Sequence, residues 1–358
     1  MNKLARLACK QFSQALEIQI TALGNGLIND TFLVKTDKQQ FVLQRINPQV
    51  FSKPDWIMQN LIHLNQHISQ KNSVEVKLKV PTVLTTIDQK TYYIDEQNAY
   101  WRALEFIKDT VSKESIDTQD EAAQVGFALA HFHRLLSDAS LDLFQDTLPG
   151  FHITPIYFQH YQGVEKQNKV RGDSQKIQFC REFIAGFRAK INCLEDARQQ
   201  GLLTDRIIHG DPKLNNFLFD NQSHEIISLI DLDTVKPGLV HYDIADCLRS
   251  CCHNTQSNTF DLKLCTVILI SYLKQASAFF TEQDYEFLYP AIQLIPFELG
   301  LRFFTDFLEG NQYFKVDFPE QNLNRALALF YLCQSIEQQE IEIRQLITRC
   351  RSAALGAN

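Results

Sequence analysis

Three polar side chains near the middle of the chain follow a short apolar run with a spacing that suits phosphoryl transfer. His209, Asp211 and Asn216 match the pattern H-x-D-x-x-x-x-N. A carboxylate such as Asp211 can orient an acceptor hydroxyl and take its proton. Lys213 can neutralise charge on the transferring phosphoryl group. We therefore expect Asp211 and Lys213 to be the catalytic residues.

A second acidic residue, Asp231, ends the next apolar run. Mg²⁺ prefers hard oxygen ligands, so the carboxylate of Asp231 and the amide oxygen of Asn216 suit it beside nucleotide phosphates. Each residue alone could be an ordinary turn, cap or core residue. Their combination, bracketed by two apolar strands, favours a magnesium site at Asn216 and Asp231.

A glycine-containing turn lies far upstream, in LGNGLINDTFLV, with Gly24 and Gly26 between two strand-like runs. A dinucleotide-binding turn would open a helix, but Thr31 begins a returning strand, so the pattern indicates a β-hairpin over phosphates. Asn29 takes the third glycine position and tolerates unusual backbone angles. The same residues could form a routine hairpin turn. Because these residues lie upstream of the catalytic loop, we expect Gly24, Gly26, Asn29 and Thr31 to bind nucleotide.

The strand after this hairpin lacks the lysine that is expected to contact ATP phosphates. Gln44 takes its place in FVLQRIN, and Arg45 lies beside it on the opposite strand face. A glutamine can hydrogen-bond a phosphate oxygen but supplies no charge. The next helix offers no obvious glutamate partner. Either Arg45 or Lys213 compensates, or ATP binds less tightly, or the protein is a degenerate kinase.

Composition excludes several classes of partner. The 358 residues are 45% hydrophobic and 22% charged, which is typical of a soluble globular protein large enough for two domains. The net charge of −7 lacks the basic excess of a nucleic-acid binder. No apolar run approaches the roughly 20 residues of a membrane span, and the N-terminus does not resemble a signal peptide. We expect a cytoplasmic protein with no nucleic-acid, membrane or obligate protein partner.

The nine cysteines do not indicate a disulfide framework or a zinc site. Their number is odd and no CxxC pair occurs. Cys247, Cys251 and Cys252 are close enough in sequence to bring thiols together, but small buried apolar residues are the favoured interpretation.

Hydrophobic periodicity predicts a β-rich first part and a helical second part. Predicted strands cover 17–23, 31–36, 40–46, 79–85, 91–95, 99–107, 206–208, 217–220 and 226–231. Predicted helices cover 54–70, 120–138, 175–200, 241–252, 260–280, 284–308 and 322–350. We expect an α+β fold with a nucleotide-binding lobe at 1–107 and a catalytic, acceptor-binding lobe at 108–358.

The segments HGDPKLNN, IDLDT and HYDIADCLR resemble the aminoglycoside phosphotransferase and choline kinase-like superfamily. The blocks at 297–314 and 318–325 resemble its N-acetylhexosamine 1-kinases more closely, and Gln44 looks shared with that group. The resemblance implies a protein-kinase-like bilobal fold with a small β-rich N-lobe and a larger, mainly helical C-lobe. It also implies ATP and Mg²⁺ as cofactors, with Asp211 as the base and Glu105 to Ile107 as the adenine-binding hinge.

The acceptor implied by this resemblance is a sugar phosphorylated on its anomeric hydroxyl. Glu298, Arg302, Thr305 and Asp306 recur at helical spacing and share one helix face. A neutral sugar needs such converging donors and acceptors, and Tyr313 could add a contact. A solvated, salt-bridged face would show the same spacing.

Other acceptors and a non-catalytic role stay open. Choline, ethanolamine, homoserine or an aminoglycoside could be phosphorylated by the same loop, although Arg302 disfavours a cationic acceptor. A nucleotide-binding pseudokinase would explain the missing strand lysine, but Asp211, Asn216 and Asp231 are all retained. Asp233, Asp243 and Asp246 are more typical of structural residues.

Overall fold

The computed structural model describes residues 2–24, 28–167 and 174–355 and divides the chain into two compact units. Unit 1 consists of Met1–Ser112, Asp138–Pro149 and Asn216–Pro237. Unit 2 consists of Lys113–Ser137, Gly150–Asn215 and Gly238–Asn358. The units differ from the predicted division after residue 107, because unit 1 takes two later segments of the chain.

An antiparallel sheet forms the centre of unit 1. Its strands are β1 (Ile18–Ala22), β2 (Asp30–Thr36), β3 (Gln40–Ile46), β4 (Val83–Leu84), β5 (Tyr93–Ile94) and β6 (Tyr100–Glu105). They lie in the order β1-β2-β3-β6-β4, and β5 also pairs with β6. The six strands predicted from the sequence are confirmed. β4 is shorter than predicted because Pro81, inside the predicted run, has no N–H to donate to a ladder.

One face of this sheet is covered by α1 (Asn2–Phe12), a helix that was not predicted. Its buried residues Ala5, Ala8, Cys9 and Phe12 recur at helical spacing. They pack against Phe32, Val34, Phe41, Leu43, Trp101 and Ala103. Since side chains alternate along a strand, Gln44 and Arg102 belong to the opposite face.

The helix α2 (Pro54–Ser69) ties the three segments of unit 1 together. Its buried Asn60 donates through Nδ2 to the carbonyls of Gln145 and Val235, both at 2.8 Å. Its Oδ1 accepts from the Gln145 N–H at 2.8 Å. A side chain so fully bonded fixes the later segments to the helix. In a second sheet, β9 (Phe217–Asp220) and β10 (Ile226–Leu229) of the last segment join β7 (Thr110–Ser112) of the first.

Unit 2 is mainly helical. Its helices are α3 (Gln119–Leu135), α4 (Thr154–Gln167), α5 (Gln175–Phe187), α6 (Cys193–Gln199), α7 (Val240–Cys252), α8 (Leu262–Ala276), α9 (Glu282–Leu308), α10 (Gln321–Gln338) and α11 (Glu340–Leu355). The short strands β8 (Arg206–Ile208), β12 (His253–Asn254) and β13 (Thr259–Phe260) lie in the same unit, and β11 (Lys236–Gly238) spans the boundary. The long helix α9 begins with a capping box of Thr281 and Asp284. Its Phe297 and Phe304 lie in the main core of the unit.

Two predicted helices are each broken in the structure. The run 175–200 forms α5, a 3₁₀ turn at Arg188–Lys190 and α6. The run 322–350 forms α10 and α11, which are separated at Gln339. The Gln339 side-chain amide donates to the carbonyls of Phe260 and of Ser335 in α10, both at 3.1 Å, so a tertiary hydrogen bond to Phe260 accompanies this break.

Within the described ranges, no helix combines the length and the apolar character needed to cross a lipid bilayer.

Candidate active site

Asp211 and Lys213 lie side by side in unit 2, on the loop that follows β8. The Lys213 ammonium donates to Oδ2 of Asp211 at 2.7 Å. Both side chains are partly exposed, at 29% for Asp211 and 37% for Lys213. The carboxylate is therefore partly exposed and is paired with a cation.

The backbone of this loop is fixed by Asp243 of α7. One Asp243 oxygen accepts from the His209 N–H at 2.6 Å and the other from the Gly210 N–H at 2.8 Å. Gly210 has a φ of +87°, a conformation that favours glycine. The buried His133 of α3 hydrogen-bonds Asp243 Oδ2 at 2.8 Å. Asp243 therefore has a structural role, and it sets the path of the chain directly before Asp211.

A buried histidine, His152, connects the same loop to α9. Its Nε2 lies 2.7 Å from the Gly210 carbonyl oxygen and its Nδ1 lies 3.3 Å from Glu298 Oε1. A carbonyl oxygen can only accept, so Nε2 donates to Gly210, and a protonated ring can donate through Nδ1 to the Glu298 carboxylate as well. Burial lowers the pKa of His152, but the hydrogen bond and charge of Glu298 outweigh it and hold that pKa above the ordinary value of 6.5.

The backbone of His152 is also unusual, with a φ of +68°. This left-handed conformation is costly for a residue with a side chain. It persists where the surroundings fix the residue, as the contacts to Gly210 and Glu298 do here. His152 was not predicted from the sequence, because nothing in its neighbourhood distinguishes it from a core histidine.

The predicted metal ligands Asn216 and Asp231 both belong to unit 1. The Ile230 N–H donates to the Asn216 carbonyl oxygen at 2.9 Å, so the two segments that carry the ligands lie beside each other. Asn216 is buried, and Asp231 is exposed with a φ of +63°. In the described part of the chain, no group of three or more His, Cys, Asp or Glu side chains could hold a metal. A two-residue oxygen set fits Mg²⁺, which nucleotide phosphates and water complete.

Five polar side chains of unit 1 form a continuous network on the sheet face opposite α1. Gln44 Nε2 donates to Thr31 Oγ1 at 3.0 Å, and Gln44 Oε1 accepts from Arg102 Nε at 2.9 Å and Nη2 at 2.8 Å. Arg102 Nη2 also donates to Asp233 Oδ1 at 2.5 Å. Asn29 Nδ2 donates to Asp233 Oδ2 at 2.7 Å. We refer to these five residues as the Arg102 network.

The network joins three predicted nucleotide-binding residues, Asn29, Thr31 and Gln44, to two that were not predicted for this role. Arg102 lies between Trp101 and Ala103 in the strand YWRALE, and a charge between apolar strand residues is usually paired. Asp233 was predicted to be structural. The sequence shows the charged Arg102 in this strand, but it does not show that Arg102 pairs with Gln44 and Asp233.

The remaining predicted nucleotide-binding residues do not join this network. Gly24 has a φ of +68°, in keeping with a glycine turn, whereas Gly26 lies outside the described residues. Arg45 is on the α1 face of the sheet, where it pairs with Asp30 at 3.2 Å.

The predicted hinge follows β6 in unit 1. Glu105 accepts through Oε2 from Thr82 Oγ1 at 2.9 Å. The carbonyl of the buried Ile107 accepts from Thr110 Oγ1 at 2.8 Å. The part played by these residues in binding adenine stays a prediction.

Two of the predicted acceptor residues already have several hydrogen-bond partners. Besides His152, Glu298 accepts from Thr154 Oγ1 at 2.8 Å. Asp306 accepts four hydrogen bonds: three from the backbone of 312–314, at 2.8 to 3.0 Å, and one from Asn322 Nδ2 at 2.8 Å. Both carboxylates are buried. The structure thus gives Glu298 and Asp306 positioning tasks, and direct contact with an acceptor stays a prediction.

The other two predicted acceptor residues are more accessible. The Arg302 guanidinium lies over the rings of Tyr157, Phe151 and Phe314, with its carbon 4.9, 5.3 and 5.5 Å from their centroids. Such cation–π contacts restrain a guanidinium while leaving its N–H groups available at the edge. Tyr313 is 56% exposed. Arg302 contacts Phe151, and the next residue in the chain, His152, contacts the catalytic loop.

A family model described as the phosphotransferase enzyme family matches residues 19–267. Among solved structures, a microcompartment-associated aminopropanol kinase is 17% identical with a TM-score of 0.69, over 96% of this chain and 99% of that one. The choline kinase from Cryptosporidium parvum Iowa II is 12% identical with a TM-score of 0.61, over 97% and 99%. An amicoumacin kinase in complex with AMP-PNP and Ca²⁺ is 16% identical with a TM-score of 0.60, over 94% and 93%. These likenesses confirm the predicted protein-kinase-like α+β fold, with a β-rich N-lobe and a helical C-lobe.

Proposed function

Since the chain belongs to the phosphotransferase enzyme family, we propose that it is an ATP-dependent kinase of a small-molecule alcohol. The finer proposal is that the acceptor is the anomeric hydroxyl of an N-acetylhexosamine-like sugar. The products are then ADP and a sugar 1-phosphate, and the enzyme works in the cytoplasm, where ATP is available.

The observation that carries the proposal is the arrangement of the catalytic loop. Asp211 is accessible, Lys213 contacts its carboxylate at 2.7 Å, and the backbone before it is held by Asp243. A base that is fixed before the acceptor arrives lowers the cost of aligning the reacting groups. A pseudokinase would not need this arrangement.

In the proposed reaction the acceptor oxygen attacks the γ-phosphorus of ATP. The new O–P bond forms as the bond between that phosphorus and the β–γ bridging oxygen breaks, and ADP leaves. Asp211 orients the hydroxyl and takes its proton. Lys213 stabilises the negative charge of the phosphoryl group as it is transferred.

Asn216 and Asp231 are the residues that would hold Mg²⁺. When bound, this ion supplies positive charge that neutralises the nucleotide phosphates. Both side chains present the hard oxygen atoms that it prefers, and they come from adjacent segments of unit 1.

The sugar proposal is supported by the C-terminal resemblance and by the charge of Arg302. A guanidinium restrained by three rings favours a neutral or oxygen-rich acceptor over a quaternary ammonium or an amine. The solved structures named above are described as kinases of aminopropanol, choline and amicoumacin, so amino alcohols are the main alternative acceptors.

An acceptor panel tests the proposal. The protein is incubated with ATP, Mg²⁺ and one acceptor at a time, and phosphorylated products are identified by ³¹P NMR. We expect sugar 1-phosphate from GlcNAc or GalNAc and little product from choline, ethanolamine, homoserine or an aminoglycoside. Turnover of the amino alcohols alone would refute the sugar assignment and keep the kinase. No turnover of any acceptor would refute the kinase proposal.

The base assignment is tested by Asp211→Asn, which keeps the size of the side chain and removes its basicity. We expect kcat to fall by about 10² to 10⁴, with an unchanged circular dichroism spectrum. Asp120→Asn is the matched control, because Asp120 is an exposed carboxylate of the same unit in the first turn of α3. If Asp211→Asn retained most of the activity, another residue would have to be the base.

A further inference from the structure

Arg102 is a buried cation next to the position where a strand lysine was expected. In the sheet, Arg102 of β6 is the register partner of Gln44 of β3, which is in turn the partner of Thr31 of β2. All three belong to the sheet face opposite α1. Arg102 is only 1% exposed, so its charge lies inside unit 1.

The partners of Arg102 resemble the surroundings of a phosphate-binding cation. Its Nε and Nη2 are bonded to Gln44, and Nη2 also pairs with Asp233. Asp233 lies two residues after Asp231, the predicted metal ligand. In protein kinases a helical glutamate restrains the lysine that binds the phosphates. Asp233 restrains Arg102 in the same way, beside the segment predicted to bind the metal.

One nitrogen of Arg102 is left over. Within the described residues, Nη1 is buried and has no hydrogen-bond partner. Leaving a charged donor buried and unpaired costs free energy, so such a group usually has a function or a ligand. A guanidinium with two nitrogens committed to protein and one available is suited to an anionic oxygen.

Two other cations, Arg45 and Lys213, are less suited to bind the ATP phosphates. Arg45 lies on the opposite sheet face and is partly exposed in its pair with Asp30. Lys213 belongs to unit 2 and is bonded to the proposed base. Arg102, by contrast, belongs to the same sheet face as Gln44 and donates two hydrogen bonds to it.

We propose that Arg102 supplies positive charge to the ATP phosphates, as a strand lysine does in other kinases. Asp233 restrains Arg102 as the helical glutamate restrains that lysine. The inference rests on the proposed function, because it concerns how that enzyme holds its nucleotide. It also accounts for Gln44, which orients Arg102 through its carbonyl oxygen instead of carrying the charge itself.

Nucleotide binding tests this inference without any acceptor. Dissociation constants for Mg·AMP-PNP and for adenosine, which has no phosphates, are measured by titration calorimetry. Arg102→Gln removes the charge and should weaken Mg·AMP-PNP binding about tenfold or more, as expected for a lost charge-assisted hydrogen bond. Adenosine binding should stay close to that of the wild type, which a general disruption of the fold would not allow.

A second variant moves the charge instead of removing it. Gln44→Lys combined with Arg102→Gln places a cation on the neighbouring strand, within reach of the same face. This double variant should regain most of the lost Mg·AMP-PNP affinity. Lys35→Gln is the matched control, because Lys35 is an exposed cation on β2 of the same sheet, and it should bind both ligands like the wild type.

The outcomes separate the inference from the proposed function. A wild-type protein that does not bind Mg·AMP-PNP would contradict the proposed function. A folded Arg102→Gln that binds it normally, or that loses affinity for both ligands equally, would overturn the inference alone. A phosphate-specific loss in Arg45→Gln but not in Arg102→Gln would also overturn it. If Arg102→Gln does not fold, Arg102→Gln with Asp233→Asn, which removes both buried charges, is measured against the same criteria.

Discussion

His152 is held between the Gly210 carbonyl and the Glu298 carboxylate, and its protonation therefore contributes to stability. Its pKa is higher in the fold than in the unfolded chain, where it is about 6.5. The contribution is fully present below pH 6.5 and is lost as the pH rises through the folded value. Chemical unfolding between pH 6 and 9 should show this loss in the wild type.

His152→Gln removes the titrating group and leaves Glu298 buried without its cation. We expect the free energy of unfolding to fall by about 3 to 5 kcal/mol at pH 6, with a flatter pH dependence. His160→Gln is the control, since His160 also contacts a carboxylate, that of Glu309 at 3.2 Å, but is 56% exposed, and its replacement should change stability little. A pH slope that is unchanged in His152→Gln would mean that His152 is neutral in the fold.

At the residue scale, the sequence predicted the groups whose chemistry demands a fixed local spacing. Asp211, Lys213 and Asn216 lie within one loop, so their types and intervals were visible directly. Arg102 is 58 residues from Gln44, and only the strand register shows that they are partners. His152 acts through contacts to distant segments, which no local pattern encodes.

At the element scale, Gly126 of α3 marks a close approach to α8. A Cβ on Gly126 would lie 2.2 Å from the Ile268 carbonyl oxygen, which is backbone and cannot rotate away. Gly126→Ala should therefore force the helices apart and lower the free energy of unfolding by about 1 to 3 kcal/mol or more.

Gly163 of α4 provides a comparison at another helical glycine. A Cβ there would meet nothing within 4 Å, so Gly163→Ala should raise the free energy of unfolding by about 0.5 to 1 kcal/mol through helix propensity. Urea unfolding of both variants measures the difference. Equal effects at the two glycines would contradict the close approach of α3 and α8.

Element types were more predictable than element ends. Alternation predicted β2 and β3, because buried side chains alternate along each strand, and long apolar-rich segments predicted α3 and α9. The N-terminal helix α1 had the same spacing in Ala5, Ala8 and Cys9 but was not predicted. The interruption at Gln339 is accompanied by a side-chain bond to Phe260, a distant part of unit 2, and such a bond is not visible in hydrophobic periodicity.

For the whole molecule, a net charge of −7 means that an anionic nucleotide must be met by local positive charge. Nucleotide binding should therefore depend on magnesium. At a nucleotide concentration 100 times the dissociation constant, binding stabilises the fold by about 2.7 kcal/mol. We expect AMP-PNP with Mg²⁺ to raise the melting temperature by several degrees, and EDTA to abolish most of that rise.

Asp231→Asn should reduce the magnesium-dependent rise in melting temperature while leaving the melting temperature without ligand nearly unchanged, since Asp231 is exposed. Calorimetric melts with nucleotide, metal and chelator in each combination measure both quantities. An equal rise in EDTA and in Mg²⁺ would argue against Asn216 and Asp231 as metal ligands.

Unit 1 is assembled from three separate stretches of chain, the last of which ends at Pro237. During vectorial synthesis the β1–β6 sheet leaves the ribosome long before Asn216–Pro237 does. Until then, Asn60 lacks its Val235 partner and Arg102 lacks Asp233. A nascent chain arrested before Asn216 thus carries an arginine without its counter-ion, so unit 1 matures only after the segment that ends at Pro237 has been synthesised.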